Sequence, residues 1–278
     1  MNLPKIPLAD WIESLEAWLE AHFDPFFKFI RMIVGETVNG LDTALNWFPA
    51  LVLILLFTII AWSIGKWRMA LFTLIGLLII ENLGLWSQTM QTLALVLTSA
   101  FISVLIGVPV GILCARYGSF QKIVTPLLDF MQTMPAFVYL LPAVTFFSLG
   151  VVPGVISSII FAIPPTIRLT NLGIRQVPEE LVEAADAFGS TPLQKLIKLQ
   201  LPIAMPTIMA GINQTIMLSL SMVVIASMIG AQGVGAYVYR AVTQGNTGVG
   251  FEAGLAIVIL AIILDRLTQQ VIRKSKSV

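Results

Sequence analysis

Residues able to do covalent or proton-transfer chemistry are few in this chain, and they do not converge. No Gly-x-x-x-x-Gly-Lys-Ser/Thr run occurs, so there is no phosphate-cradling loop and no basis for ATP hydrolysis by this polypeptide. The one histidine, His22, stands among acids near the N-terminus, and with Cys114 the lone cysteine, neither a metal site nor a histidine-centred triad can be assembled. Cys114 lies in an apolar run, permits no internal disulfide and is expected to pack in a core. Ionisable residues at membrane depth usually mark function, and two qualify: Glu81 beside Asn82, and Asp129 near Gln132. Both sit near the end of an apolar run, where snorkelling or a local hydrogen bond competes with a substrate role. Asn213 and Gln214, with Ser219 and Ser221, either line a path or bond neighbouring helices.

The chemistry the chain does offer is recognition, concentrated in Glu183–Pro202, a polar island between apolar runs. Pro178 suits the first turn of a leading helix, with Glu179 and Glu180 where the helix dipole favours negative charge. Leu181, Ala184, Ala185 and Phe188 form its apolar stripe, and Gly189 stops it. Thr191 then caps a second short helix, Pro192 takes its first position, and Gln194 completes a Thr-x-x-Gln capping box. Leu193, Leu196, Ile197 and Leu201 supply an apolar face before Pro202. The expected product is a compact helix-turn-helix knob, in size and place more than a plain connector.

The elements that must carry this knob are membrane helices. Of 278 residues 57% are hydrophobic and 11% charged, against about 25% charged in a typical soluble domain. A net charge of +1 gives no general attraction for nucleic acid. Crossing a bilayer takes about 20 largely apolar residues. Seven candidates occur, at about 48–65, 69–86, 91–115, 127–149, 152–170, 205–229 and 251–268. The third to fifth are rich in helix breakers: Gly107, Pro109 and Gly111; Pro135 and Pro142; Pro164 and Pro165. Such residues are tolerated at depth where neighbouring helices or a watered cavity satisfy the freed backbone. Gly107 and Gly111 have the spacing that lets helices approach closely. The Gly-rich stretch 230–250 is expected to be a mobile outer segment.

Before the first span, Leu8, Trp11, Ile12, Leu15, Trp18, Leu19 and Phe23 recur at helical spacing opposite acids. A second such segment uses Phe26, Phe27, Ile30, Ile33, Val34, Val38, Leu41 and Leu45. These segments are too charged to cross and lie either on the membrane surface or on other protein. Seven of the fifteen acidic residues fall before residue 48, which suits an external location. With no apolar h-region there, Met1 onward is expected to be mature protein. Placing the C-terminus inside gives the inner loops and tail twelve of the sixteen basic residues, leaving Lys5, Lys28, Arg31 and Arg240 outside. The positive-inside rule thus expects an external N-terminus, a cytoplasmic C-terminus and a cytoplasmic knob. The expected organisation is an external amphipathic segment 1–47, a transmembrane domain 48–268 with an inner loop 171–202, and a tail 269–278. The fold class is all-α.

Glu183-Ala-Ala, Gly189 four residues after Ala185, and a closing Leu-Pro at 201–202 resemble the EAA loop of membrane subunits of bacterial ATP-binding-cassette importers. The runs Gln132-Thr-Met-Pro-Ala-Phe-Val-Tyr-Leu-Leu-Pro142, Ile163-Pro-Pro-Thr-Ile-Arg168, Thr170-Asn171 and Ser227-Met-Ile-Gly-Ala-Gln-Gly-Val-Gly235 look like the permease subunit of glycine betaine/proline importers, over about 90–268. The resemblance implies a type I importer transmembrane fold in a bacterial cytoplasmic membrane. It implies a second copy of the chain, two ATPase subunits that hold ATP and Mg, and a separate external binding protein, with no cofactor or metal in this chain. Leu181, Glu183, Ala184, Ala185, Phe188 and Gly189 would then contact the ATPase. For a quaternary amine, aromatic faces are the natural holders, at about 0.5–2 kcal/mol each. Phe137, Tyr139, Phe146 and Phe147 around Pro142, with Asn213, are the candidates for the path, although such rings also serve to pack helices. The alternatives are an importer of choline or another small solute, or a secondary transporter needing no ATPase.

Overall fold

The computed structural model describes residues 7–275, with side chains placed through Gln270. Lys5 and Lys276, and the side chains of Arg273 and Lys274, lie outside the described residues. No strand occurs among those described.

Among the described residues eleven α-helices follow in order: α1 Leu8–Trp47, α2 Ala50–Asn82, α3 Trp86–Arg116, α4 Gly118–Thr133, α5 Leu140–Phe147, α6 Val151–Arg175, α7 Glu179–Ala187, α8 Pro192–Lys195, α9 Leu201–Ser227, α10 Val234–Gln244 and α11 Thr247–Ser275. A 3-10 turn, Ala136–Tyr139, leads into α5, and a π-helical segment, Leu196–Gln200, joins α8 to α9. Five helical stretches are long and apolar enough to cross a membrane, or six if the bent pair 118–133 and 136–147 is one crossing.

The centre is a triple of α3, α6 and α9. In α6, 72% of the apolar window is enclosed, against 17% in α2, so α6 is the axis of the bundle and α2 lies on its outside. Small residues bring the three together. A Cβ on Gly111 would sit 2.6 Å from Thr170 Cβ and 2.8 Å from the Ile167 carbonyl, and one on Gly107 would sit 2.8 Å from Thr166 Cγ2. The spaced pair is therefore a packing ridge of α3 on α6. Pro164 and Pro165 leave two carbonyls of α6 without helical partners, and α9 answers near that point. Thr215 Oγ1 donates to the Ala162 carbonyl at 2.8 Å and lies 2.7 Å from Thr166 Oγ1, with Gly211 admitting the α6 backbone. Cys114 is buried with Val124, Leu128, Ile163 and Ile167, as expected of a packing residue.

Several expectations are revised. The two amphipathic segments form one 40-residue helix, α1, about 60 Å long. Pro25 does not break it, because the carbonyl it leaves free, at Ala21, lies on an exposed stretch open to water. Candidates 48–65 and 69–86 both fall in α2, divided at Lys66, whose φ of 66° and ψ of −176° interrupt the helix. The break in the fourth segment comes at Met134–Pro135, where the axis turns by 107°, and not at Pro142. Met134 is extended, as a residue before proline prefers, whereas Pro142 is third in α5, where its missing N–H removes little. The stretch 230–250 holds a helix, α10, and two of its glycines, Gly233 and Gly235, serve close approach. Gly233, at φ 121°, lies against Thr92, and the Val234 N–H donates to Thr92 Oγ1 at 2.9 Å.

Candidate functional site

At one end of the bundle the chain leaves α6 at Arg175 and forms the knob. Pro178 is the N-cap of α7, one position earlier than expected, and Glu179 and Glu180 open the helix. The helix stops at Phe188, and Gly189 takes φ 74°, a left-handed conformation with nothing within 4 Å of where a Cβ would lie. The glycine is thus required by the turn and not by crowding. The capping box is formed as its sequence demands: the Gln194 N–H donates to Thr191 Oγ1 at 3.3 Å, and the Thr191 N–H donates to Gln194 Oε1 at 2.9 Å. The second helix does not stop before Pro202. The Leu201 N–H reaches back five residues to Leu196, and this wider turn carries the chain past the proline directly into α9.

No residue of α7 is buried. Leu181, Phe188, Leu193 and Ile197 are exposed, Phe188 to 89%. Glu183, Ala184 and Gly189 are exposed and Ala185 half-buried, so the proposed contact set Leu181, Glu183, Ala184, Ala185, Phe188 and Gly189 lies on one open surface element. One tie crosses the turn: Lys195 Nζ lies 2.7 Å from both Asp186 carboxylate oxygens. Sequence reasoning missed it, because a separation of nine residues matches no helical period and only the turn brings the pair together.

Basic residues gather at this end. Arg175 Nη2 donates to the Cys114 carbonyl at 3.1 Å, close to Arg116, and Lys195 and Lys198 follow in the knob. Asp129 makes the hydrogen bond that was one of its expected alternatives: it pairs with Arg168 at 2.5 Å, bracing α4 on α6. Asp265 was overlooked as an ionisable residue within a span. Its Oδ1 accepts from Asn213 Nδ2 at 2.8 Å, and both its oxygens accept from Gln269, so Asn213 links α9 to α11. The i, i+4 spacing of Asp265 and Gln269 was the available signal.

The candidate path residues are not brought together. Tyr139 is buried with its hydroxyl donating to the Met131 carbonyl. The Phe146 ring stacks on Phe27 of α1 at 4.5 Å, and Phe147 meets the same ring edge-on at 5.7 Å. Phe137 alone of the four keeps an exposed ring, next to exposed Gln132 and Thr133 at the break. Gln214, midway along α9, and Ser221 are also exposed. Among the described residues no group of three His, Cys, Asp or Glu converges as a metal site would need.

Residues 107–277 match the family described as binding-protein-dependent transport system inner membrane component. The chain is 58% identical over 276 residues to the glycine betaine transport system permease protein OpuAB of Bacillus subtilis, covering 99% of this chain and 98% of that one. It is 56% identical to the glycine betaine/carnitine transport permease protein GbuB of Listeria monocytogenes, covering 99% of each. It is 53% identical to the glycine betaine/proline betaine transport system permease protein ProW of Escherichia coli, covering 98% of this chain and 77% of that one. Its fold is similar to chains of the inward-facing MetNI methionine ABC transporter in two crystal forms. The TM-scores are 0.62 and 0.64, at 24% and 23% identity, over 66% and 69% of this chain and 92% and 95% of those. A self-sufficient secondary transporter is thereby set aside. This multi-pass membrane protein, with its open helical knob and no phosphate-binding loop, belongs to the binding-protein-dependent transport system inner membrane components, the permease subunits of ATP-binding-cassette importers, which work with separate ATPase subunits and a substrate-binding protein.

Proposed function

We propose that this chain forms the translocation path for glycine betaine or a closely related compatible solute, and couples that path to two ATPase subunits that bind ATP and Mg and dock on the α7–α8 knob. Identity of 53–58% along almost the whole chain with three glycine betaine permeases carries the solute assignment. A carnitine permease of Listeria monocytogenes and a choline permease of Bacillus subtilis stand at 27% and match 68% and 64% of the chain. The docking reading is supported by Leu181, Phe188, Leu193 and Ile197, which stand exposed among the described residues. Burying each such side chain fully contributes about 1.5–3 kcal/mol, enough to seat a partner. Leu181, Glu183, Ala184, Ala185, Phe188 and Gly189 form the contact, with the alanines allowing close approach.

The orientation proposed is N-terminus outside, knob and tail inside. Several features support a reversal at Lys66 and hence seven crossings. The part of α1 at Val38, Asn39 and Asp42 lines one hollow with Gln91, Val151 and Gly230, at the end of the bundle opposite the knob. Ala50 follows eight residues after Asp42, and Asn82 precedes α3 by a short turn, so both ends of α2 return to that end. A straight helix of 33 residues would hold them about 50 Å apart. Gly65 meanwhile lies beside Gln270, far along α11.

The exposed amides of Gln214 and Gln132 would be costly against acyl chains. A second copy of the chain facing them across water is the arrangement proposed, with Phe137 as the aromatic face open to a quaternary ammonium.

The test is ATP hydrolysis. The chain with its ATPase should hydrolyse ATP faster when its binding protein loaded with glycine betaine is added, whereas the chain alone should hydrolyse none. Hydrolysis by the chain alone, or failure of the ATPase to copurify with it, would refute the proposal.

A further inference from the structure

Residues 1–106 lie outside the family match, and α1 is their largest element. Three successive positions on one face of α1 meet the far end of the broken segment. Phe27 stacks on Phe146, at 4.5 Å and 16°, and abuts Phe147. One turn on, Arg31 Nη1 donates to Ser148 Oγ at 3.2 Å. One turn further, Gly35 brings the helix backbone to Val152, where a Cβ would lie 3.5 Å from Val152 Cγ2. The i, i+4, i+8 ridge of α1 therefore runs along 146–152, and Val34 and Val38 are buried beside it.

The segment under this ridge is strained. Ser148 has φ 62° and ψ −178°, a region almost reserved for glycine, and Lys66 is the one other non-glycine residue with positive φ among those described. A side chain stays in such a conformation where its surroundings over-determine it. The surroundings here are the two Phe rings before it, both against Phe27, Arg31 on its hydroxyl, and Gly150 after it, whose N–H donates to the Ile229 carbonyl at 2.9 Å. The last contact joins the segment to the end of α9, the helix that carries the knob at its other end.

We propose that α1 is a strap on the broken segment and that Arg31 is a positioning residue for import. Its bond to Ser148 holds the left-handed turn from which α6 starts, and so fixes the far end of the bent pair while α9 moves. This rests on the reading of the bent pair as part of the path.

The experiment uses the whole complex, with ATPase and binding protein, in proteoliposomes and with labelled glycine betaine as probe. Arg31→Ala should lower uptake at least fivefold at unchanged yield of assembled complex, and should blunt the rise in ATP hydrolysis caused by loaded binding protein. Adding Ser148→Gly should restore uptake to within twofold of the unsubstituted complex, because glycine holds φ 62° without a partner. If Arg31→Ala does not assemble, Arg31→Met, which keeps most of the side-chain length but has no N–H donor, carries the same comparison with Ser148→Gly. Uptake by the single variant within twofold of the unsubstituted complex would overturn the proposal. So would a double variant as impaired as the single one, since that is what a general folding role gives. Absence of uptake by the unsubstituted complex would count against the path reading instead.

Discussion

Replacing Gly189 isolates what the knob's turn contributes. The residue sits at φ 74° with no atom within 4 Å of a prospective Cβ, so a substitution meets conformational strain and no clash. Left-handed backbone costs an ordinary side chain about 1–2 kcal/mol. The ties opposing this are small: an exposed ion pair, Asp186–Lys195, of about 0.2–1 kcal/mol and a capping box of about 0.5–2 kcal/mol. No buried side chain of α7 adds to them. The strain and the ties are of the same size, so the turn should yield and α7 should swing away from α8, the element it packs on. At about 1.4 kcal/mol per factor of ten, Gly189→Ala should reduce coupled uptake roughly five- to thirtyfold. Gly189→Val, branched at Cβ, should abolish coupling, whereas Gly189→Asn, which tolerates this conformation, should stay close to the unsubstituted protein. The assay is the ratio of solute moved to ATP hydrolysed in proteoliposomes. Equal coupling in the Asn and Val variants would refute the reasoning, because it would mean that the turn's handedness does not position α7.

Other expectations follow from single features. Cysteines placed at Glu183 or Phe188 should react with a membrane-impermeant reagent only in inside-out vesicles, and one at Lys66 likewise; labelling of 183 from outside would reverse the orientation. Gly111→Val should lower the melting temperature of the detergent-solubilised chain sharply, since its Cβ would meet Thr170 and the rigid Ile167 carbonyl, and overpacking costs about 1–3 kcal/mol or more. An unchanged melting temperature would deny the ridge. Tyr139→Phe, losing the hydroxyl bond to Met131, should cost about 1 kcal/mol of stability, whereas Phe137→Ala should change the uptake rate and leave stability alone. The opposite pattern in a thermal scan and an uptake assay would exchange their roles.

What was legible in the sequence was local. The capping box at Thr191–Gln194, the stop at Gly189 and the Gly107–Gly111 ridge each depend on residues within one turn or one helix face, and each formed as read. Features that depend on which elements meet were not legible. The break fell at Pro135 because Met134 could become extended, while Pro142 was absorbed in the first turn of α5, a distinction composition does not make. That the rings at 146 and 147 pack on Phe27 was not legible, because Phe27 lies on a helix 119 residues earlier in the chain from Phe146. Asp265 escaped notice beside Arg266 at the end of an apolar run, and its bond to Asn213 spans 52 residues. The glycines at 230–250 suggested mobility, whereas Gly233 and Gly235 instead admit α10 against Thr92 and Val223.

The central claim is that this chain moves glycine betaine and draws on a partner's ATP hydrolysis through the knob. Its most direct test is uptake of labelled glycine betaine by proteoliposomes holding the chain, its ATPase and its binding protein, with ATP supplied on the knob side. The account predicts accumulation that needs ATP and the binding protein, and that unlabelled glycine betaine competes away. Movement of an unrelated solute with no transport of glycine betaine would contradict the solute assignment, and accumulation without the ATPase would contradict the coupling.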